Sequence, residues 1–571
     1  MPASERLAVI DLGSNSFRLV VFTATEGWWQ RTDEIYQPVR IGEGMAATGR
    51  LGEQPMERAL AALDVFDHFC AAAGLLSPPA PSASEGLPAP PASKGSPAPL
   101  ASEGLPAPSA SEGLPAPPAS EGSPAPLASA GPPAPAVDAV ATSAIREAEN
   151  AEEFLARARA RTSLPIRVLS REEEARYGYL AAVNSTTLRE GCALDLGGGS
   201  LQLVGVHERR ARESGSWRLG AVRMTERFLP NGGLAKPRQI EALREHVARE
   251  LASAPWLRAT GRRLVGIGGT VRSLAVVAQR ARGLPGNGVQ GMVVSAEALE
   301  EIVQRLAALT PAQRGSVPGV KPARADLILA GAVVVQGALE AGGFEALEAT
   351  EAGLREGIFF ERHLAQGGPR EPGGEPPLFA DVRRSSVANL AARYGVDRAH
   401  TEHVGALALG MFDQLARLGL HGGEAREREL LWAACMLHDI GMSVDYDDHH
   451  KHSRYLILNA GLPGFSPREV AIVAQAARYH RKGLPEPGPL GALFGEGDAE
   501  RLDRCAVLLR LAEDLERSRD QLVRDTVLSA RNGEVELRLL AEGGSAVPRW
   551  AAARESELFA RAFDRGLSVV A

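Results

Sequence analysis

Two stretches of this chain read alike: Val9-Ile-Asp-Leu-Gly-Ser-Asn-Ser-Phe-Arg-Leu-Val-Val-Phe22 and Ala193-Leu-Asp-Leu-Gly-Gly-Gly-Ser-Leu-Gln-Leu-Val-Gly-Val206. The same residue recurs at six offsets: Asp11/Asp195, Leu12/Leu196, Gly13/Gly197, Ser16/Ser200, Leu19/Leu203 and Val20/Val204. Each copy is an apolar strand ending in Asp, a tight Gly/Ser turn and a returning apolar strand. Glycine lets backbone N–H groups converge, so the turns Gly13-Ser14-Asn15-Ser16 and Gly197-Gly198-Gly199-Ser200 are suited to cradle phosphate oxygens. The Asp at each strand end is placed to hold a divalent cation or a water beside that phosphate. One Asp-x-Gly hairpin is ordinary turn chemistry. Two matched copies, each opening its own α/β half, predict a duplicated fold with the turns facing each other across a cleft.

A third loop belongs with them. Leu264-Val-Gly-Ile-Gly-Gly-Thr270 reads as a strand running through Gly268 and Gly269 into a helix over 271–282, with Thr270 as its cap. A glycine turn at a helix N-terminus is an anion site. Around these loops the pattern divides the chain into five parts. Residues 1–148 form a first α/β half, 149–366 a second, 367–377 a Pro/Gly linker, 378–526 a helical domain and 527–571 a small α+β tail. Within the first half, 77–136 holds 18 of the 39 prolines and repeats a nine-residue unit of the type ASEGLPAPP. Ala, Ser, Gly and Pro at that period offer no stacking face, so this insert is expected to be an extended, disordered expansion of a helix-to-strand loop.

Composition narrows the class. The 571 residues include 63 Lys plus Arg against 70 Asp plus Glu, a net charge of -7. That balance speaks against a chain built to coat nucleic acid, and no duplex partner is expected, although local basic clefts remain open. Cys70, Cys192, Cys435 and Cys505 lie far apart with no C-x-x-C pair, so neither a disulfide framework nor a thiolate zinc site is expected. The start lacks the basic and apolar regions of a secretory leader, and no run of apolar residues is long enough to span a membrane. A cytoplasmic location without membrane contact is the expectation.

The two hairpins and the Gly-Gly-Thr turn resemble the acetate and sugar kinase/actin superfamily. More narrowly, Ala141-Thr-Ser-Ala-Ile-Arg-Glu-Ala-Glu-Asn150, Glu173-Glu-Ala-Arg176, Asp195-Leu-Gly-Gly-Gly-Ser200 and Gly353-Leu-Arg-Glu-Gly357 are similar to the Ppx/GppA phosphatases. The resemblance implies two actin-like, ribonuclease-H-like halves, Mg²⁺ (or Mn²⁺) in the cleft between them, and hydrolysis of a terminal phosphoanhydride.

Such hydrolysis needs a positioned water, a base and positive groups for the transferring phosphoryl. The base lies within Ser170-Arg-Glu-Glu-Glu-Ala-Arg-Tyr177, where Ser170 and Glu173 form a capping box. Residue physics leaves Glu172, Glu173 and Glu174 open; the resemblance implies Glu174, with Asp11 and Asp195 as its catalytic and metal-holding partners. Arg146, after the strand over 137–142, is placed for bidentate phosphate binding. Arg18, inside the first hairpin, is not assigned to the cleft. One departure is plain: family members read Gly-Gly-Gly-Ser-Thr-Glu in the second hairpin, and here the run ends Ser200-Leu-Gln202. An amide can orient water but cannot be an anionic ligand or a base. Weaker Mg²⁺ binding, an altered substrate and lost activity are the alternatives this leaves.

Eight of the 12 histidines fall between His400 and His480. Imidazoles with a carboxylate suit Zn, Mn or Fe. The set resembles an HD-type phosphohydrolase domain, which implies a second metal held by His403, His438, Asp439 and, where that pattern has Asp, Glu513. With that change the domain is read as structural, dimer-forming or substrate-guiding rather than catalytic. The expected function is an exopolyphosphatase-like hydrolase acting on polyphosphate, assembled as a homodimer. Guanosine pentaphosphate is the second substrate candidate. A catalytically weak polyphosphate-binding regulator and an HD-domain phosphohydrolase are the remaining alternatives.

Overall fold

The computed structural model describes residues 4–76, 136–230, 232–365 and 377–570. The repeat and the Pro/Gly linker expected from the sequence therefore fall outside the described residues.

The first hairpin forms as its apolar pattern dictates. Strands β1 (Glu5–Leu12) and β2 (Phe17–Ala24) pair antiparallel with Asp11 opposite Arg18, and β3 (Trp29–Gln37) pairs with β2 on the outside. Strand β4 (Val137–Ala141), buried at every position, lies parallel to β1 on its other side, and β5 (Ile166–Val168) lies parallel to β4. The order is β3-β2-β1-β4-β5. The second hairpin repeats it: β6 (Gly191–Leu196), β7 (Leu201–His207) and β8 (Arg210–Trp217) pair antiparallel, with Asp195 opposite Gln202. Strand β9 (Arg263–Ile267) runs parallel to β6, followed outward by β11 (Ala346–Ala349) and, antiparallel, β10 (Met292–Ser295), giving β10-β11-β9-β6-β7-β8. Strand for strand the two sheets match, apart from β10. Each parallel pair needs a crossover, and the buried helices Glu53–Ala72 and Gly269–Ala281 belong to these crossovers.

Between the sheets run two helices, Arg171–Ser185 and Leu354–Ala365. Together with Val9, Val20 and Val140 of one sheet and Val204 and Val265 of the other, they build a single apolar cluster. They cross closely because Gly357 has no side chain: a Cβ there would stand 2.0 Å from Tyr177 O. The boundary expected at residue 148 moves, since β5 still belongs to the first sheet. A three-residue edge strand is too short to show an apolar period.

The remainder is a helical bundle spanning Val382–Arg393 to Asp498–Leu515. Strands β12 (Val523–Arg531), β13 (Glu534–Ala541) and β14 (Gly566–Val570) make a small sheet with β14 parallel to β13. Val523, Leu537 and Phe559 share one buried cluster with Leu407, Leu431 and Val507. The tail expected over 527–571 is therefore packed as part of the helical domain, beginning at Val523. Among the described residues no helix is long and apolar enough to cross a membrane.

Candidate active site

The matched hairpins bring their turns together. Gly198 packs on the first turn, where a Cβ would lie 3.0 Å from Ser14 Cβ. Asp11, Gly13, Ser14, Asn15 and Ser16 from one half line a cavity of about 120 Å³ with Asp195, Gly197, Gly198, Gly268 and Gly269 from the other. Glu174 enters between them from the first turn of helix Arg171–Ser185. The capping box forms as expected, with Ser170 Oγ accepting from Glu173 N and Glu173 Oε2 accepting from Ser170 N. That cap occupies Glu173, Glu172 is exposed, and Glu174 alone of the three is buried and lines the cleft.

The three acids press on one another. Burial raises Asp195, helped by the charges of Glu174 and Asp11, to a pKa of about 7. Burial also raises Glu174 and Asp11, against the opposing pull of Arg146 and Arg355 respectively. Arg146 Nη1 donates to Glu174 Oε2 at 2.8 Å, and Arg355 Nη1 to Asp11 Oδ2 at 3.0 Å. Ser200 Oγ donates to Glu174 Oε1 at 3.4 Å and accepts from Gln202 Nε2 at 2.8 Å. Three crowded carboxylates are hard oxygen donors whose repulsion a divalent cation relieves, and the buried Asn15 Oδ1 lacks a hydrogen-bond partner. This donor set fits Mg²⁺.

The rest of the lining is cationic. Arg18, Arg272, Arg324 and Arg355 all face the cavity. Burial and then the neighbouring Arg355 lower Arg272 to about 10. Burial lowers Arg18, Arg324 and Lys321 too, and in each case other arginines of the group add to the shift. Glu34 answers Arg18 at 3.0 Å and Asp11 answers Arg355, whereas Arg272 donates to a backbone carbonyl, Glu351 O, at 2.9 Å. Basic groups gathered in one cleft raise its potential toward anions.

The pattern of the Ppx/GppA phosphatase family matches residues 130–366, and that of Ppx/GppA phosphatase domain III matches residues 382–544. The chain belongs to the Ppx/GppA phosphatase family. The first hairpin lies before the matched residues, and the repeated strand order ties it to the second. Among solved structures, a Ppx/GppA family member from Aquifex aeolicus is 24% identical, over 64% of this chain and 100% of its own, with a TM-score of 0.47. An exopolyphosphatase from Cytophaga hutchinsonii is 19% identical, over 63% and 97%, with a TM-score of 0.49.

Not every residue expected at the phosphatase cleft lines it. Gly199 and Ser200 sit behind it, Gly199 accepting from Arg223 Nε at 3.2 Å. Thr270 does not cap its helix, which starts at Gly269 after Gly268 at φ 100°; instead its methyl packs against Gly331. Arg146 holds Glu174 and Leu169 O, while its Nε and Nη2 are buried without a hydrogen-bond partner, leaving donors for an anion. Gln202 is 1% exposed and lies outside the lining, with Oε1 unpartnered. Arg18, Arg272, Arg324 and Arg355 were not legible as site residues. Arg18 had its place in the first hairpin and Arg355 its place in the Gly353–Gly357 motif, while Arg272 and Arg324 had no signal.

In the helical domain, His438, Asp439 and Glu513 meet as the resemblance implied, but His403 does not join them. Its Nε2 lies 2.9 Å from Val523 O and 3.5 Å from Glu516 Oε2. His400, one turn earlier on the same helix, takes that place, with Nε2 3.0 Å from Glu513 Oε2. His and Asp at helical spacing do not reveal which of two neighbouring turns faces inward.

Proposed function

We propose that this phosphatase removes the terminal phosphate from inorganic polyphosphate by water attack. The observation that carries the reading is the set of four cations, Arg18, Arg272, Arg324 and Arg355, in one cleft with the Glu174, Asp11 and Asp195 carboxylates. Repeating anionic charge suits such a set better than a single terminal phosphate does. Glu174, whose carboxyl burial raises above the usual carboxylate range, takes the proton of the attacking water. Arg146 and Ser200 hold its two oxygens in place. The Gly13–Ser16 turn and Gly198 offer backbone N–H groups to the phosphoryl oxygens, Gly197 N donating instead to Ser200 O at 3.0 Å, and the arginines stabilise the phosphoryl charge. Asp11 and Asp195 would hold Mg²⁺, which supplies charge neutralisation at the scissile bond.

Guanosine pentaphosphate shares the terminal phosphoanhydride and is the second substrate to compare. Phosphate release from long polyphosphate and from guanosine pentaphosphate, with and without Mg²⁺, tests the reading. Polyphosphate is expected to give the higher kcat/KM, and Glu174→Gln to lower its turnover by about 10²–10⁴-fold while polyphosphate binding persists. A Glu174→Gln variant with near-parent turnover overturns the base assignment. A higher kcat/KM on guanosine pentaphosphate overturns the substrate.

A further inference from the structure

The polyphosphate cleft makes no use of the most concentrated set of metal-binding groups in the described chain. Four helical-domain histidines and two acids converge from separate elements: His400 from helix Arg398–Arg417, His438 and Asp439 from the end of Ala425–Leu437, His449 from the start of His449–Ala460, His480 after Pro467–Arg478 and Glu513 from Asp498–Leu515. All four histidines are buried, and so is Asp439.

Hydrogen bonding decides which nitrogens are free. His438 Nδ1 lies 2.7 Å from Cys435 O, His449 Nδ1 2.8 Å from Tyr446 O and His480 Nδ1 2.7 Å from Ala477 O. A carbonyl can only accept, so each Nδ1 carries the proton and each neutral ring presents a lone pair at Nε2. Those lone pairs point at one another and at Asp439. His449 Nε2 and His480 Nε2 stand 3.0 Å apart, and lie 3.4 Å and 3.8 Å from Asp439 Oδ1. On the other side, His400 Nε2 and His438 Nε2 lie 3.0 Å and 3.2 Å from Glu513 Oε2, yet none of these three atoms has a hydrogen-bond partner. His400 Nε2 is also 3.9 Å from Asp439 Oδ2.

Acceptors facing acceptors at about 3 Å repel unless a proton or a metal ion lies between them, and one ion meets several of these contacts at once where each proton meets one. Nitrogen and oxygen ligands at about 2.1 Å from one ion, on adjacent corners of an octahedron, are about 3 Å apart. The carbonyl bonds at Nδ1 are the outer contacts that fix metal-binding histidines in tautomer and direction. Arg519 donates to Asp439 Oδ2 at 2.7 Å, a bond that the second lone pair of that oxygen can keep.

We propose that the helical domain carries a centre for two divalent transition-metal ions, bridged by Asp439. His400, His438 and Glu513 hold one ion with Asp439 Oδ2, and His449 and His480 hold the other with Asp439 Oδ1. Four imidazoles select manganese, iron or zinc over magnesium, whereas the all-oxygen cleft suits magnesium.

The test is metal content of the full-length protein, prepared from medium supplemented with manganese, iron and zinc and measured by inductively coupled plasma mass spectrometry. The parent is expected to hold two equivalents of transition metal that dialysis does not remove. His480→Gln, which keeps the side chain's size class, should fall by one equivalent, and His400→Gln by one independently. Stripping the parent with chelator and returning Mn²⁺ should raise its melting temperature by several degrees, a readout that needs no folded variant. Trace metal in the parent with no thermal response to Mn²⁺, Fe²⁺ or Zn²⁺ overturns the centre. A parent holding only one equivalent, which either substitution abolishes, overturns its two-ion form.

Discussion

Gln202, where the family resemblance implies Glu, lies outside the cleft lining. It stands opposite Asp195 in the β6–β7 ladder, where β1–β2 has Arg18 opposite Asp11. Arg18 lines the cleft, while Gln202 lies behind it and donates to Ser200, which in turn donates to Glu174. The amide thus positions the hydroxyl that positions the base. Gln202→Glu removes that donor and buries a carboxylate near Glu174. An unpartnered buried polar group costs about 1–3 kcal/mol, and a charge more. The melting temperature of Gln202→Glu is therefore expected to fall by several degrees, with turnover reduced and the Mg²⁺ midpoint unchanged. A paired thermal melt and Mg²⁺ titration checks this; a lowered Mg²⁺ midpoint would place Gln202 at the metal after all.

Among the elements, the crossing of helices Arg171–Ser185 and Leu354–Ala365 links fold to chemistry. One carries Glu174 and the other Arg355, the partner of Asp11. Their closeness depends on Gly357 against Tyr177 O, and Arg176 with Glu361 adds an ion pair at 2.6 Å along the same crossing. Gly357→Ala inserts a methyl where there is no space for one. Overpacking of this kind costs about 1–3 kcal/mol or more and moves the helices apart. Loss of thermal stability together with a drop in kcat is expected, because Glu174 and Arg355 both shift. A variant that melts lower but keeps kcat per folded molecule would show that the crossing holds the fold without setting the site.

For the whole molecule, the question is what the chain can spare. Helix Glu53–Ala72 and strand β4, the two elements flanking 77–135, share one buried cluster through Phe66, Leu75, Val137 and Ala139. The repeat's Ala/Ser/Gly/Pro units offer no apolar face to add to it. Replacing 77–135 with a short Gly/Ser turn is expected to leave phosphate release and melting temperature near parent values, since loop-closure entropy varies slowly with length. A large fall in either would assign the repeat a packing or gating role.

The duplicated hairpins, the capping box at Ser170 and the family were legible from local sequence. Each depends on residues a few positions apart, where strand period, turn chemistry and cap geometry are set by neighbours. The choice of Glu174 over Glu172 and Glu173 came from resemblance, and burial in the folded chain supplies its physical reason. Arg272 and Arg324 reach the cleft from distant segments, and no short-range pattern distinguishes them from the chain's many surface arginines. The same holds for His400 against His403: one helical turn separates them, and packing against Glu513 and Asp439 settles which one faces the cluster. Local order was determined by the sequence by itself, because it arises from bonded neighbours. Which charges meet in a buried space was decided by tertiary structure alone, because that depends on elements hundreds of residues apart closing on one another.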